Sequence, residues 1–159
     1  MIANRNMDSP YAPMHEIEPG LYLGDMDAAR DEELLREYTI TYVLGILDNF
    51  FCMPKFEGIM YHRIQMADSF QSNIEDHLSE ALGFIEQARK EGHNVLVHCA
   101  AGISRSASFV IAYMMVKYNM QYDNARDFVR GKRDCIMPNL GFRRQLEDLK
   151  IQEYKKFLN

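Results

Sequence analysis

Asn94-Val-Leu-Val-His98-Cys-Ala-Ala-Gly-Ile-Ser-Arg-Ser106 decides the fold. The first five residues are a short, nearly continuous apolar run, as expected of a strand covered on both faces in a parallel sheet. Residues 104–117 are apolar on every side, through Ala107, Phe109, Val110, Ile111, Tyr113, Met114 and Met115, which predicts a buried central helix. Between strand and helix lies a tight loop with a thiol at one end and a guanidinium at the other.

Working outward, residues 1–13 carry two prolines and several small polar residues and read as a flexible tail. His15-Glu-Ile17 and Leu21-Tyr-Leu-Gly24 read as short strands joined by a turn at Pro19-Gly20. Residues 27–37 are rich in Ala, Leu and Glu and predict one helix. Residues 41–47 predict a buried strand and residues 59–66 another. Ser72 opens a further helix, with Glu75 completing a capping box. Ile74, Leu78, Ala81, Leu82, Ile85 and Ala88 follow at helical spacing, and Lys90 and Gly92 end it. Two more helices are predicted over 122–130 and 141–157. Strands alternating with helices imply an α/β fold, a mostly parallel twisted sheet flanked by helices, forming one domain over 14–159. In such folds ligands lie beyond the carboxyl ends of the strands, where the loop after His98 sits.

The chain has 159 residues, enough for one core, and 47% hydrophobic with 26% charged residues is an ordinary globular balance. A net charge of −5 argues against a globally basic nucleic-acid binder. The uncharged run 106–116 falls well short of the ~20 apolar residues that span a bilayer, and residue 2 is not the glycine that myristoylation needs. No membrane association is expected. Three cysteines without paired spacing (Cys52, Cys99, Cys135) point to a reducing compartment, the cytosol first and the nucleus as a second candidate.

The loop's residue types suit an anion. A strand turning directly into a helix aims free backbone N–H groups at the positive end of the helix dipole, which makes residues 100–105 a phosphate cradle. Ala100 and Ala101 are small, Ile103 and Ser104 are uncharged, and Gly102 permits a backbone angle that a side chain would penalise. Cys99 sits at the mouth, where a thiolate is stabilised by the same N–H groups, the dipole and a nearby Arg. Arg105 can hold two phosphate oxygens in a planar fork, and Ser106 puts a hydroxyl near the sulfur. A lone cysteine after an apolar strand is usually core packing. A Cys with Gly at +3, Arg at +6 and Ser at +7 between two buried elements is far more specific. Expelling an alkoxide or phenoxide needs an acid. Asp68, which follows the strand ending near Met66, is the first choice, with Asp48 and Asp76 as rivals.

His98-Cys-x-x-Gly-x-x-Arg-Ser106 resembles the signature of the protein tyrosine phosphatase superfamily, and the flanking sequence resembles its dual-specificity branch in a small, atypical form without further domains. The likeness runs from about residue 15 to the C-terminus. Leu21-Tyr-Leu-Gly24 and Tyr42-Val-Leu look like the branch's early strands, and Pro138-Asn-Leu-Gly-Phe142 with Gln145-Leu146 like the opening of its last helices. Asp68 stands 31 residues before Cys99, similar to the family's acid. The resemblance implies a protein tyrosine phosphatase-like fold and a two-step, metal-free reaction through a phosphocysteine. In that pattern His98 supports the orientation and acidity of the thiol, and Asn139 braces the phosphate loop. The implied substrates are phosphotyrosine and phosphoserine/threonine in proteins, a protein kinase being one candidate partner. No cofactor and no metal are implied.

Three readings compete. A lipid or RNA phosphatase on the same fold is disfavoured by the uncharged residues 100–104, since polyanion-directed relatives often carry a basic residue there. A phosphopeptide-binding module is disfavoured because Cys99 and Arg105 are both kept. Cys52 and Cys135 read as free thiols; relatives have cysteines that pair with the nucleophile under oxidation, and neither position matches one. Arg130, Lys132, Arg133, Arg143 and Arg144 read as a solvated face, or as a patch attracting acidic or doubly phosphorylated substrates. The eleven methionines read as core filler. The sequence leaves oligomeric state open.

Overall fold

A computed structural model describes residues 5–159. Five strands form one sheet in the order β1-β2-β5-β3-β4. They are β1 (Met14–Glu18), β2 (Leu21–Gly24), β3 (Ile40–Leu47), β4 (Met60–Gln65) and β5 (Asn94–His98). Only β1 and β2 pair antiparallel, around Gly20 with φ +88°; β2–β5, β5–β3 and β3–β4 are parallel. The fold is the expected α/β class. β5 is central, hydrogen-bonded on both edges and buried on both faces, which is why its sequence shows no polar alternation.

Among the described residues six α-helices flank the sheet: α1 (Met26–Arg30), α2 (Glu32–Glu37), α3 (Glu75–Lys90), α4 (Arg105–Tyr118), α5 (Tyr122–Lys132) and α6 (Leu140–Glu147). Side chains of α3, α4, α5 and α6 form the larger core with Leu21, Leu23, Leu44, Ile46, Val95 and Val97. On the other face Ala28, Ala29, Leu34 and Leu35 pack with Tyr22, Val43 and Leu96. α4 is buried from Arg105 through Val116, as its all-round apolar sequence requires.

Four local expectations need correction. The helix over 27–37 is two helices, because Asp25 Oδ1 accepts from the N–H of Ala28 and Asp31 Oδ1 from that of Leu34, each capping its own short segment. The capping box at Ser72 does not form. Ser72 Oγ donates to the Ala67 carbonyl, Asn73 Oδ1 accepts from the N–H of Glu75, and α3 begins at Glu75. The segment 59–66 is an edge strand, not a buried one: within β4 only Ile64 is buried, and Arg63 donates to the Asp48 and Phe51 carbonyls. The C-terminal helix stops at Glu147, and the chain continues as two 3-10 turns, Ile151–Glu153 and Lys155–Leu158.

Of the tail, residues 1–4 lie outside the described residues. Arg5 pairs with Asp31 at 2.9 Å, and Ala12 is buried. No helix among the described residues is long and apolar enough to cross a membrane.

Candidate active site

The loop leaves the carboxyl end of β5 and enters the N-terminus of α4, so its shape is set by two buried elements. Gly102 adopts φ +65°, a left-handed angle that favours glycine, and an added Cβ would lie 2.6 Å from the Gly24 carbonyl oxygen. Met26 N–H donates to the Ala100 carbonyl at 3.2 Å, tying the loop to the end of β2. Arg133 holds it from behind. Its Nε donates to the Gly102 carbonyl at 2.9 Å and Nη2 to that of Ala101 at 3.4 Å, while Nη1 donates to the Ala12 carbonyl and to His15 Nδ1. With loop carbonyls drawn outward, the N–H groups turn inward. Those of Ala100, Ala101, Ile103 and Ser104 find no protein acceptor among the described residues.

Cys99 Sγ lies within this concavity, 2% exposed as a residue. It accepts from the N–H of Gly102 at 3.2 Å and from Ser106 Oγ at 3.1 Å. Arg105 is anchored by one nitrogen: Nη1 donates to Asp48 Oδ2 at 2.9 Å and to the Met66 carbonyl at 3.1 Å. Nε and Nη2 carry no protein bond among the described residues, which leaves one edge of the fork for two oxygens.

Asp68 is exposed at the rim, and its Oδ1 accepts from Ser104 Oγ and from Asn139 Nδ2, both at 2.8 Å. Asn139 N–H donates to Ser104 Oγ at 3.0 Å, and its side-chain oxygen caps α6 through the N–H of Phe142. Ser104, Asp68 and Asn139 thus form one node linking loop, β4 exit and α6. Of the rival acids, Asp48 is engaged by Arg105, and Asp76 accepts from Asn73 in the first turn of α3. His98, Cys99, the loop 100–104, Arg105, Ser106, Asp68 and Asn139 lie together here, and Asp76 does not.

His98 Nδ1 donates to the Cys99 carbonyl at 3.1 Å. Burial, with Arg63 and Arg30 nearby, pushes its pKa down to about 4, so the ring is neutral at pH 7. In the unfolded chain it would protonate near 6.5. The unfolded state therefore binds the extra proton between those values. The stability this contributes is complete above pH 6.5 and is lost as pH falls towards 4, by about 3 kcal/mol. Urea unfolding of wild type and His98→Asn across that window should show the variant losing less stability on acidification. Parallel curves would contradict the buried neutral ring.

Two residues escaped the sequence reading. The sequence offers Asp48 only as a rival acid, yet it positions Arg105. Arg133 lies in a stretch whose sequence suggests a solvated or substrate-facing basic face, yet it is 3% exposed and braces the loop. The signal was present: Ala125 and Val129 are buried on α5, and Arg133 continues that stripe at spacing four. Cys52 and Cys135 are exposed free thiols. Among the described residues no group of three or more His, Cys, Asp or Glu is placed to hold a metal.

Residues 21–152 match the family described as dual specificity phosphatase, catalytic domain. Human dual specificity protein phosphatase 22 is 39% identical over 148 residues, covering 91% of this chain and 79% of that protein. The crystal structure of DUSP15 superposes with a TM-score of 0.85 at 35% identity, over 91% of this chain and 94% of that one. That of the human tyrosine phosphatase-like serine/threonine/tyrosine-interacting protein superposes with a TM-score of 0.80 at 38% identity, over 90% of this chain and 95% of that one.

Proposed function

The chain belongs to the dual-specificity phosphatase family, and from that premise we propose a division of labour among its residues. It is a phosphoprotein phosphatase working through a cysteine. In our reading Cys99 Sγ attacks phosphorus in phosphotyrosine or phosphoserine/threonine. The inward N–H groups of residues 100–104 and the free edge of Arg105 hold the non-bridging oxygens as charge shifts among them. Asp68 gives a proton to the departing oxygen. It then takes one from the water that attacks the phosphocysteine, expelling the thiolate. Ser106 Oγ, already donating to Sγ, stabilises that leaving thiolate. His98 and Arg133 hold the loop's shape, and Asn139 holds Asp68 and Ser104. The catalytic unit is residues 14–159, a protein kinase is a fitting partner class, and the cytosol or nucleus its place of action.

The observation that carries this reading is a sulfur accepting two hydrogen bonds beside loop N–H groups that have no protein acceptor among the described residues, next to an arginine tethered by a single nitrogen. The role of Asp68 is tested by leaving groups. A nitrophenolate departs readily as an anion, whereas a serine alkoxide does not. Asp68→Asn should lower kcat/KM, which reads formation of the phosphocysteine, by roughly 10²–10⁴-fold on phosphoserine and phosphotyrosine peptides and much less on p-nitrophenyl phosphate. An equal fall in kcat/KM on both substrates would remove Asp68 as the acid.

A further inference from the structure

We propose that the mouth of the phosphate site is an apolar collar that selects phosphopeptides with aliphatic or aromatic residues beside a single phosphorylated one. The inference rests on the phosphatase reading above and narrows its substrate class. Phe70 is 68% exposed, Met137 68%, Leu140 59% and Ile103 38%. These are not stray surface residues, because each attaches to the node of Ser104, Asp68 and Asn139. Ile103 precedes Ser104, and its carbonyl accepts from the N–H of Met137 at 2.7 Å. Met137 and Leu140 flank the Pro138-Asn139 corner. Phe70 follows Asp68 by two residues, and its backbone rests on the start of α6. A Cβ at Gly141 would lie 2.7 Å from Phe70 Cα, so glycine permits that seat. Across the site Phe50, 78% exposed, follows the Asp48 that tethers Arg105.

Core packing does not account for these side chains. Their neighbours Ile136, Phe142 and Leu146 are buried and already fill the interior at this corner. Clustered exposed apolar surface around a polar centre marks a contact surface. Its continuity with the phosphate cradle identifies the occupant as the peptide on either side of the phosphoresidue. The phosphate loop itself offers no second cationic site. The loop positions 100–104 are uncharged, and the buried Arg133 is committed to loop carbonyls, so it cannot receive a second phosphate.

The test compares kcat/KM of the purified full chain on matched phosphopeptides with one phosphoresidue, flanked by Leu and Phe in one set and by Ser and Glu in the other. A doubly phosphorylated peptide, a short-chain phosphoinositide and p-nitrophenyl phosphate are run in parallel. Wild type should prefer the apolar flanks by ~10-fold or more, the scale set by one or two anchoring contacts. The triple variant Phe70→Ser, Met137→Ser, Leu140→Ser should lose most of that preference while keeping p-nitrophenyl phosphate turnover. Met137→Ser alone, at an exposed site outside any helix, should lose part of it. No preference in wild type, a preference for acidic or doubly phosphorylated peptides, or faster turnover of the phosphoinositide would overturn the collar. So would a preference unchanged in both variants. If wild type turned over neither p-nitrophenyl phosphate nor any phosphoester above, the phosphatase reading itself would fall, a result separable from loss of discrimination alone.

Discussion

Cys99→Ser should lower turnover by ~10⁴-fold or more, the scale on which enzymes lose activity with their covalent nucleophile. It should still bind inorganic phosphate or tungstate within about tenfold of wild type, because its changes at the two functions are unequal. The serine hydroxyl is a weak nucleophile, and among the described residues no carboxylate or imidazole hydrogen-bonds at the position of the sulfur. In the proposed mechanism the anion is held by Arg105 and by backbone N–H groups of which, among the described residues, only that of Gly102 bonds to the sulfur. The new Oγ can take the same donors, Gly102 N–H and Ser106 Oγ. Calorimetric anion titration beside a steady-state assay measures both. Loss of anion binding together with activity would mean that Cys99 supports the loop's shape and not its chemistry.

Arg105→Lys should be the next most damaging change, with kcat/KM down by ~10³-fold, near the low end for an arginine that stabilises phosphoryl transfer. The geometry explains why retaining the charge is insufficient. Arg105 spends one nitrogen on Asp48 and the Met66 carbonyl and keeps a planar edge for substrate. Lysine has one nitrogen and must choose between tether and ligand. It would keep the ion pair with Asp48 and leave the phosphate oxygens unheld. Steady-state kinetics on p-nitrophenyl phosphate checks this without involving the acid, and near wild-type kcat/KM would show that Arg105 is not the clamp.

The strand, loop and helix from Asn94 to Ser106 were legible because each is set by neighbouring residues. Burial on both faces erases polar alternation from β5, and burial all round does the same for α4. The Cys, Gly, Arg and Ser spacings follow from one loop. What could not be read depends on partners far along the chain. Asp48 meets Arg105 across 57 residues and Arg133 meets Gly102 across 31, and no local pattern encodes either pairing. Ser72 shows the same limit on a smaller scale. Its capping box was a sound local expectation, yet the Ala67 carbonyl takes its hydroxyl, and Gln145, 71 residues away, accepts from the N–H of Ile74. The methionines divide likewise: Met14, Met66, Met114 and Met115 fill core, whereas Met137 stands exposed at the site. Composition predicts the first group, and only the corner at Pro138 places the second.

The central claim is a phosphate carried covalently on Cys99. Asp68→Asn should make it visible, because p-nitrophenolate needs little acid assistance to leave, while hydrolysis of the phosphoenzyme still lacks its base. The variant mixed with p-nitrophenyl phosphate, quenched within milliseconds, digested and analysed by mass spectrometry should carry one phosphate on the peptide containing Cys99. The same peptide from Cys99→Ser should carry none. Phosphate on any other residue, or a burst of p-nitrophenolate with no phosphorylated peptide, would contradict the account.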